Sequence, residues 1–237
     1  MKHLDKLGGL IVMQTHTHVV IIYPHPDDES FGGAGTIRKF RSEGIPVTYF
    51  CGTLGEMGRN MGTPPFANRE TLPKIREQEL KDACRYLDID YKLLGFRDKT
   101  IEFEPIDEVA ARVKKELEEI QPSLVITHYP EHGVHPDHNA LGEATIKAIQ
   151  SMAKENRPIV WAAAITNNYE EVLGEPDVVI PLGEQFDYKM KAILKHKSQA
   201  EGMLQKLQEA SEEDRVYIEG LKERLGKERF FTWKFND

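Results

Sequence analysis

Residues 18–36 read HVVIIYPHPDDESFGGAGT. The first six form a continuous apolar, β-branched run, the pattern of a strand buried on both faces as in a parallel sheet. A proline follows, then an imidazole and three carboxylates crowded together as His25, Asp27, Asp28 and Glu29. Beyond them the composition predicts a helix over 31–43, stopped by Gly44. A buried strand turning through charged residues into a helix is the opening unit of an α/β chain.

The unit recurs downstream. Apolar runs predict strands over 46–52, 91–96, 124–128, 159–166 and 178–181. Helices are expected over 69–87, 106–120, 137–153 and 185–199, the second with Val109, Val113, Leu117 and Ile120 at helical spacing. Strands alternating with helices predict an α/β, Rossmann-like three-layer sandwich with a mostly parallel sheet covered on both faces. Ligands of such sheets bind at the carboxyl ends of the strands. Residues 53–68 form a long loop rich in Gly, Asn and Pro, and loops of that length inside a compact domain tend to be functional. Residues 200–227, rich in Glu, Lys and Leu without a sustained apolar stripe, read as an exposed or subunit-contacting helix, and FFTWKF at 230–235 as a terminal strand. The expected organisation is an extension over 1–17, the main domain over 18–199, and a C-terminal helix and strand over 200–237 packed upon it. Met13 reads as the natural start, so that loss of residues 1–12 should leave activity intact.

The 237 residues carry a net charge of −8, which argues against nucleic acid or anionic membrane as partner, because phosphate binding needs clustered Lys and Arg. No stretch approaches the roughly twenty apolar residues that span a bilayer, and the run ending at Met13 is too short and glycine-broken for a signal peptide. Cys51 and Cys84 form no CxxC pair, and read as two reduced thiols of a cytoplasmic protein.

Two clusters carry chemistry. In His25-Pro26-Asp27-Asp28-Glu29 the side-by-side carboxylates repel, and a cation is their most natural compensation; His25 and Asp28 are spaced to face one ion. The bland alternative is an acidic turn capping the next helix. The second cluster, His135-Pro136-Asp137-His138, follows another buried strand, with its two histidines one helical turn apart. One ligand from it, added to His25 and Asp28, gives three ligands and an open position, the arrangement of catalytic zinc. Zinc makes hydroxide available at neutral pH. Asp27 is the neighbouring carboxylate best placed to take the water's proton, His135 is a candidate donor to the oxyanion, and Asp137 could hold His135 in its charged form. These parts fit amide hydrolysis.

At these residues the chain resembles the LmbE-like, or PIG-L, family of zinc N-acetylglucosaminide deacetylases. The likeness runs from about residue 18 to 199 through YPHPDDESFGGAGT, TLGEMGRN, LLGFRD, HGVHPDH and the HKSQ of 196–199. It implies His25, Asp28 and His138 as ligands of one zinc per chain, with Fe2+ an alternative, Asp27 as general base, His135 as the group serving the oxyanion, and Asp137 as its support. It also implies an amino-sugar substrate met by Arg59 and Asp98, and a homo-oligomer, trimer or hexamer. The wording of residues 51–73 is most similar to the second type of bacillithiol-biosynthesis deacetylase, acting on N-acetylglucosaminyl malate, whose carboxylates Arg59 would suit. Some relatives place a tyrosine two residues before the first histidine of HPDH; this chain has Gly133 there, leaving His135 alone or a group such as Tyr129 for acid work.

Three other readings compete. An amidase cleaving thiol conjugates of the same cofactor would carry the same motifs. A nucleotide-binding module is suggested by Gly32-Gly33-Ala34-Gly35, but Arg38 stands where a dinucleotide loop wants its last glycine. A non-catalytic metal protein would need no spare carboxylate, so Asp27 discriminates. The glycines are better explained as small residues that let the helix approach the sheet.

Overall fold

The computed structural model describes residues 16–200, 203 and 212–236; the expectations for residues 1–12 and for most of 200–211 lie outside them. β1 (Val19–Tyr23) is fully buried and central. It pairs in parallel with β2 (Val47–Cys51) and with β4 (Leu124–His128), while β3 (Asp90–Leu93) joins β2 and β5 (Ile159–Ala163) joins β4. Each strand alternates its side chains between faces, so β1 supplies two cores. Val19, Ile21 and Tyr23 pack with Ile37 and Phe40 of α1 (Asp28–Ser42) and Leu80 of α2 (Leu72–Leu87). Val20 and Ile22 pack with Val113 of α3 (Ile106–Ile120) and Leu141 of α4 (Pro136–Gln150). Helices therefore cover both faces, as the alternating pattern requires.

The seven strands run in the order β3-β2-β1-β4-β5-β7-β6. β6 (Val178–Pro181) follows a short α5 (Tyr169–Leu173), and α6 (Phe186–Ile193) and α7 (Glu212–Leu225) lead to β7 (Lys227–Thr232). β7 lies antiparallel between β5 and β6. The C-terminal strand is thus an interior strand of the sheet. A buried ion pair fixes it: Glu228 accepts from Lys189 Nζ at 2.9 Å and from the amides of Gly35 and Thr36 in α1.

The terminal strand expected over 230–235 runs instead over Lys227–Thr232, and the strand expected over 159–166 ends at Ala163. Three further boundaries shift for physical reasons. α1 starts at Asp28, three residues before 31, because Asp28 and Glu29 suit the positive N-terminal turn. β3 ends at Leu93; the chain beyond bends to donate Leu94 N to Cys51 O and Phe96 N to Gly52 O. The helix expected over 185–199 breaks after Ile193, and His196 turns inward to Glu29. Gly35 is needed at its position, since a Cβ there would overlap the Leu182 side chain. Cys51 and Cys84 are buried free thiols, and among the described residues no helix is long and apolar enough to cross a membrane.

Candidate active site

β1 and β4 are neighbours whose following connections diverge to opposite sides of the sheet, which makes their carboxyl ends the switch point where α/β folds bind ligands. The first turn leaves β1 through Pro24. The Tyr49 hydroxyl donates to His25 O at 2.6 Å, and His25 N donates to Asp28 Oδ2 at 2.9 Å. Asp27 sits at φ 109°, a strained conformation for a residue with a side chain. Its neighbours hold it there. Asp27 N donates to Glu29 Oε2 at 3.0 Å, and Arg76 Nη2 donates to both Pro26 O and Asp27 Oδ2. Glu29 is fully buried and accepts from His196 Nε2 at 2.7 Å, so it braces the turn from behind.

The second turn leaves β4 and opens α4. His135 is the extended N-cap, its Nδ1 accepting from Asp137 N at 3.1 Å, with Pro136 in the first helical turn. Because Nδ1 accepts, the neutral ring carries its proton on Nε2. The buried Asp137 carboxylate accepts from Lys99 N at 2.6 Å and Ile101 N at 3.1 Å. Its expected grip on His135 is therefore made by its backbone N–H, while its carboxylate ties down the 99–101 loop. His135 is held below its ordinary pKa by burial and by the nearby His25 and His138 rings, against which Asp137 is a lesser influence.

The two turns meet. His25 Nδ1 lies 3.2 Å from His138 Nε2 and 3.4 Å from Asp28 Oδ2, and His138 Nε2 lies 3.4 Å from Asp28 Oδ1. The outer nitrogens have their own acceptors: His138 Nδ1 donates to Gly133 O at 2.6 Å, and His25 Nε2 faces Asp98 Oδ1 at 3.2 Å and Asp137 Oδ2 at 3.5 Å. With the outer nitrogens protonated, the inner ones present lone pairs to each other and to a carboxylate, an arrangement that repels unless a cation sits between. Burial opposes charge on His25, yet its bonds to Asp137, Asp28 and Asp98 outweigh it and raise the ring well above its ordinary pKa. Asp28 is held well below the carboxylate range, despite burial, by His138 and His25. The pocket centre favours positive charge. Asp27, outside the triangle, is pushed up to about 6 by burial, partly offset by Arg76.

The other expected residues fall as follows. Asp98 is buried and takes Met57 N at 2.8 Å on its second oxygen, so it orients His25 rather than facing open space. Arg59 is exposed and lines a separate cleft with Asn60, Ser198 and Gln199. Tyr129 packs its ring against Trp233, His132 and Phe231. No tyrosine fits at 133, where even a Cβ would lie 2.5 Å from His138 Cβ. Two residues escaped the sequence reading. Arg76 and Glu79 are buried on the apolar face of α2, Arg76 reaching the first turn and Glu79 taking both the amide and hydroxyl of Ser198. Charged residues in the apolar phase of an amphipathic helix were the available signal.

Fold and site together define a Rossmann-like α/β scaffold with a His/Asp group able to hold a divalent cation at its strand switch point. Residues 20–149 match the family described as PIG-L, GlcNAc-PI de-N-acetylase. A Bacillus subtilis protein named "probable N-acetyl-alpha-D-glucosaminyl L-malate deacetylase 2" is 51% identical over 221 residues, 93% of this chain and 99% of its own length. A Bacillus cereus protein of the same name is 57% identical over 189 residues, 79% of this chain and 86% of its own. The structure of N,N'-diacetylchitobiose deacetylase from Pyrococcus horikoshii shares the fold, with TM-score 0.71 at 23% identity over 93% of this chain and 85% of that one. The chain belongs to the PIG-L family of N-deacetylase hydrolases.

Proposed function

We propose that this chain is a cytoplasmic, homo-oligomeric, zinc-dependent deacetylase that hydrolyses the acetamide of N-acetylglucosaminyl malate, the activity named for its Bacillus relatives and a step of bacillithiol biosynthesis. The observation that carries the reading is the grouping of His25, Asp28 and His138: the two ring nitrogens lie 3.2 Å apart, and each lies 3.4 Å from an Asp28 oxygen, Oδ2 for His25 and Oδ1 for His138. Tetrahedral zinc with bonds of about 2.0–2.1 Å asks for ligand separations of roughly 3.3 Å. Two histidines and one carboxylate with open positions also suit Fe2+. When bound, the metal supplies a water of lowered pKa and polarises the amide carbonyl.

The chain's own groups divide the remaining work. Asp27 stands beside the triangle and outside it, its Oδ2 paired with Arg76, and takes the proton of the attacking water. Arg76 fixes the Asp27 carboxylate and the turn beneath it, so that base and ligands keep one geometry. His135 offers Nε2–H to the oxyanion of the tetrahedral carbon, and the proton that Asp27 takes from the water is the one returned to the departing amine. Asp98 and Gly133 O hold the two ligand rings in the required tautomers, as the partners of metal-bound histidines do.

The test is deacetylation of N-acetylglucosaminyl malate before and after chelation, with zinc restored. Turnover should vanish with chelation and return with zinc; cleavage of a thiol conjugate in preference to the acetylated sugar would refute the reading. Removal of a metal held at a thousand times its Kd costs about 4 kcal/mol. For a chain of this size that lowers Tm by about 10 °C, read by calorimetry.

A further inference from the structure

A cavity of about 480 Å3 lies beside the proposed ligand cluster, with Asp28 of that cluster in its lining. Asp28 and His128 line its inner end, and the C-terminal residues Arg224, Lys227 and Arg229 line it where α7 turns into β7. A volume in this range suits a small-molecule site.

Its charge runs against that of the chain. The net charge is −8, yet the lining gathers three cations from six consecutive positions. Of the other charged groups there, Glu228 is neutralised by Lys189 at 2.9 Å, Asp28 belongs to the ligand triangle, and Glu170, which accepts from the Tyr169 hydroxyl, keeps its charge, so three cations stand against one carboxylate. None of Arg224, Lys227 and Arg229 has an ion-pair partner among the described residues. Arg229 is half-buried on β7, a strand pinned on both edges and anchored to α1 through Glu228. At the inner end the buried His128 stacks on His138 with ring centroids 4.0 Å apart, and its Nδ1 has no partner. An unpaired buried ring nitrogen at one end and unpaired guanidinium groups at the other describe a ligand that is polar near the metal and anionic away from it.

We propose that this cavity is the aglycone subsite, in which Arg229, with Arg224 and Lys227 at its mouth, selects N-acetylglucosaminyl substrates whose aglycone carries carboxylates. The proposal rests on the deacetylase reading and moves carboxylate recognition from Arg59 to the C-terminal hairpin. It also explains why the terminal strand is built into the sheet: a guanidinium set on a rigid strand can discriminate, whereas one on a loop adapts.

The experiment compares kcat and KM of the zinc-loaded enzyme for N-acetylglucosaminyl malate and for the neutral methyl N-acetylglucosaminide. The wild type should prefer the malate conjugate, and raising ionic strength should erode that preference. R229Q should reduce the preference at least tenfold, mainly through a higher KM for the malate conjugate, and R229K should restore part of it. The exposed pair R224Q/K227Q, whose folding is not at stake, should reduce it three- to tenfold. A preference kept within twofold in both variants overturns the subsite, as does its loss in R59Q instead. A wild type that turns over both substrates equally also overturns it while leaving the deacetylase reading intact. A wild type that turns over neither sinks the deacetylase reading itself.

Discussion

The chain spells His-Pro-Asp twice, at 25–27 and 135–137, each after a buried strand and before a helix. The two turns do opposite things with the same letters. At 25–27 the histidine precedes the helix by three residues and reaches the triangle, while the aspartate is the N-cap at φ 109°. At 135–137 the histidine is itself the N-cap, in relaxed extended backbone, and the aspartate lies inside the helix. The shift by two positions rotates every side chain. It leaves Asp27 paired with Arg76 beside the proposed metal ligands, and it buries Asp137 against two loop amides. In each turn the fourth residue, Asp28 or His138, points to the shared centre. A motif therefore fixes which residue types are at hand, and the helix start decides which of them touches what.

The largest effects should separate the two aspartates. Asp27→Asn is expected to keep zinc at one per chain and lose about a thousandfold in kcat, the scale of a lost general base. His138→Ala should lose metal and turnover together. Metal analysis beside kinetics reads both, and parental turnover in Asp27→Asn would end the base assignment. Asp137→Ala should act first on stability. Two amides, Lys99 N and Ile101 N, lose their buried acceptor, and each such loss costs about 1–3 kcal/mol. A denaturation midpoint unchanged in Asp137→Ala would show that the two turns are more alike than their hydrogen bonds imply.

How much of this the sequence carried follows from range. The β1, β2 and β4 runs were legible because a strand buried on both faces is apolar at every position. The two clusters were legible because they are short motifs of rare composition, but the residues alone left His135 and His138 both open as the third member, and only the family resemblance named His138. What could not be read is whatever depends on contacts across the sheet. Arg76 is one arginine in an ordinary helix until α2 lays it under the first turn, 49 positions from Asp27. Asp98 was expected to meet substrate, and only the fold shows its carboxylate turned to His25. The terminal strand was recognised as a strand, but its place between β5 and β6 depends on Glu228 finding α1 and Lys189, a pairing that no local pattern announces.

The finest distinction between the turns lies at Gly133, the residue whose carbonyl holds His138 Nδ1 at 2.6 Å. The first turn fixes its ligand ring with a carboxylate, Asp98; the second uses a backbone carbonyl, which can move only if the chain moves. Gly133 is not among the residues of positive φ, so Gly133→Ala adds bulk without forcing a disfavoured backbone. The new Cβ would lie 2.5 Å from His138 Cβ and 2.8 Å from Asn139 Oδ1, and the loop must shift to relieve it. Perturbing the partner of a metal-bound histidine costs tenfold to a hundredfold in affinity; because only position and not the hydrogen bond itself is altered, the lower end applies. Gly133→Ala should therefore bind zinc about tenfold more weakly in competition with a chromophoric chelator, with kcat at saturating zinc within about threefold of the parent. Unchanged affinity would mean that the second turn yields to bulk without moving its ligand, and the carbonyl would lose its role in aiming His138.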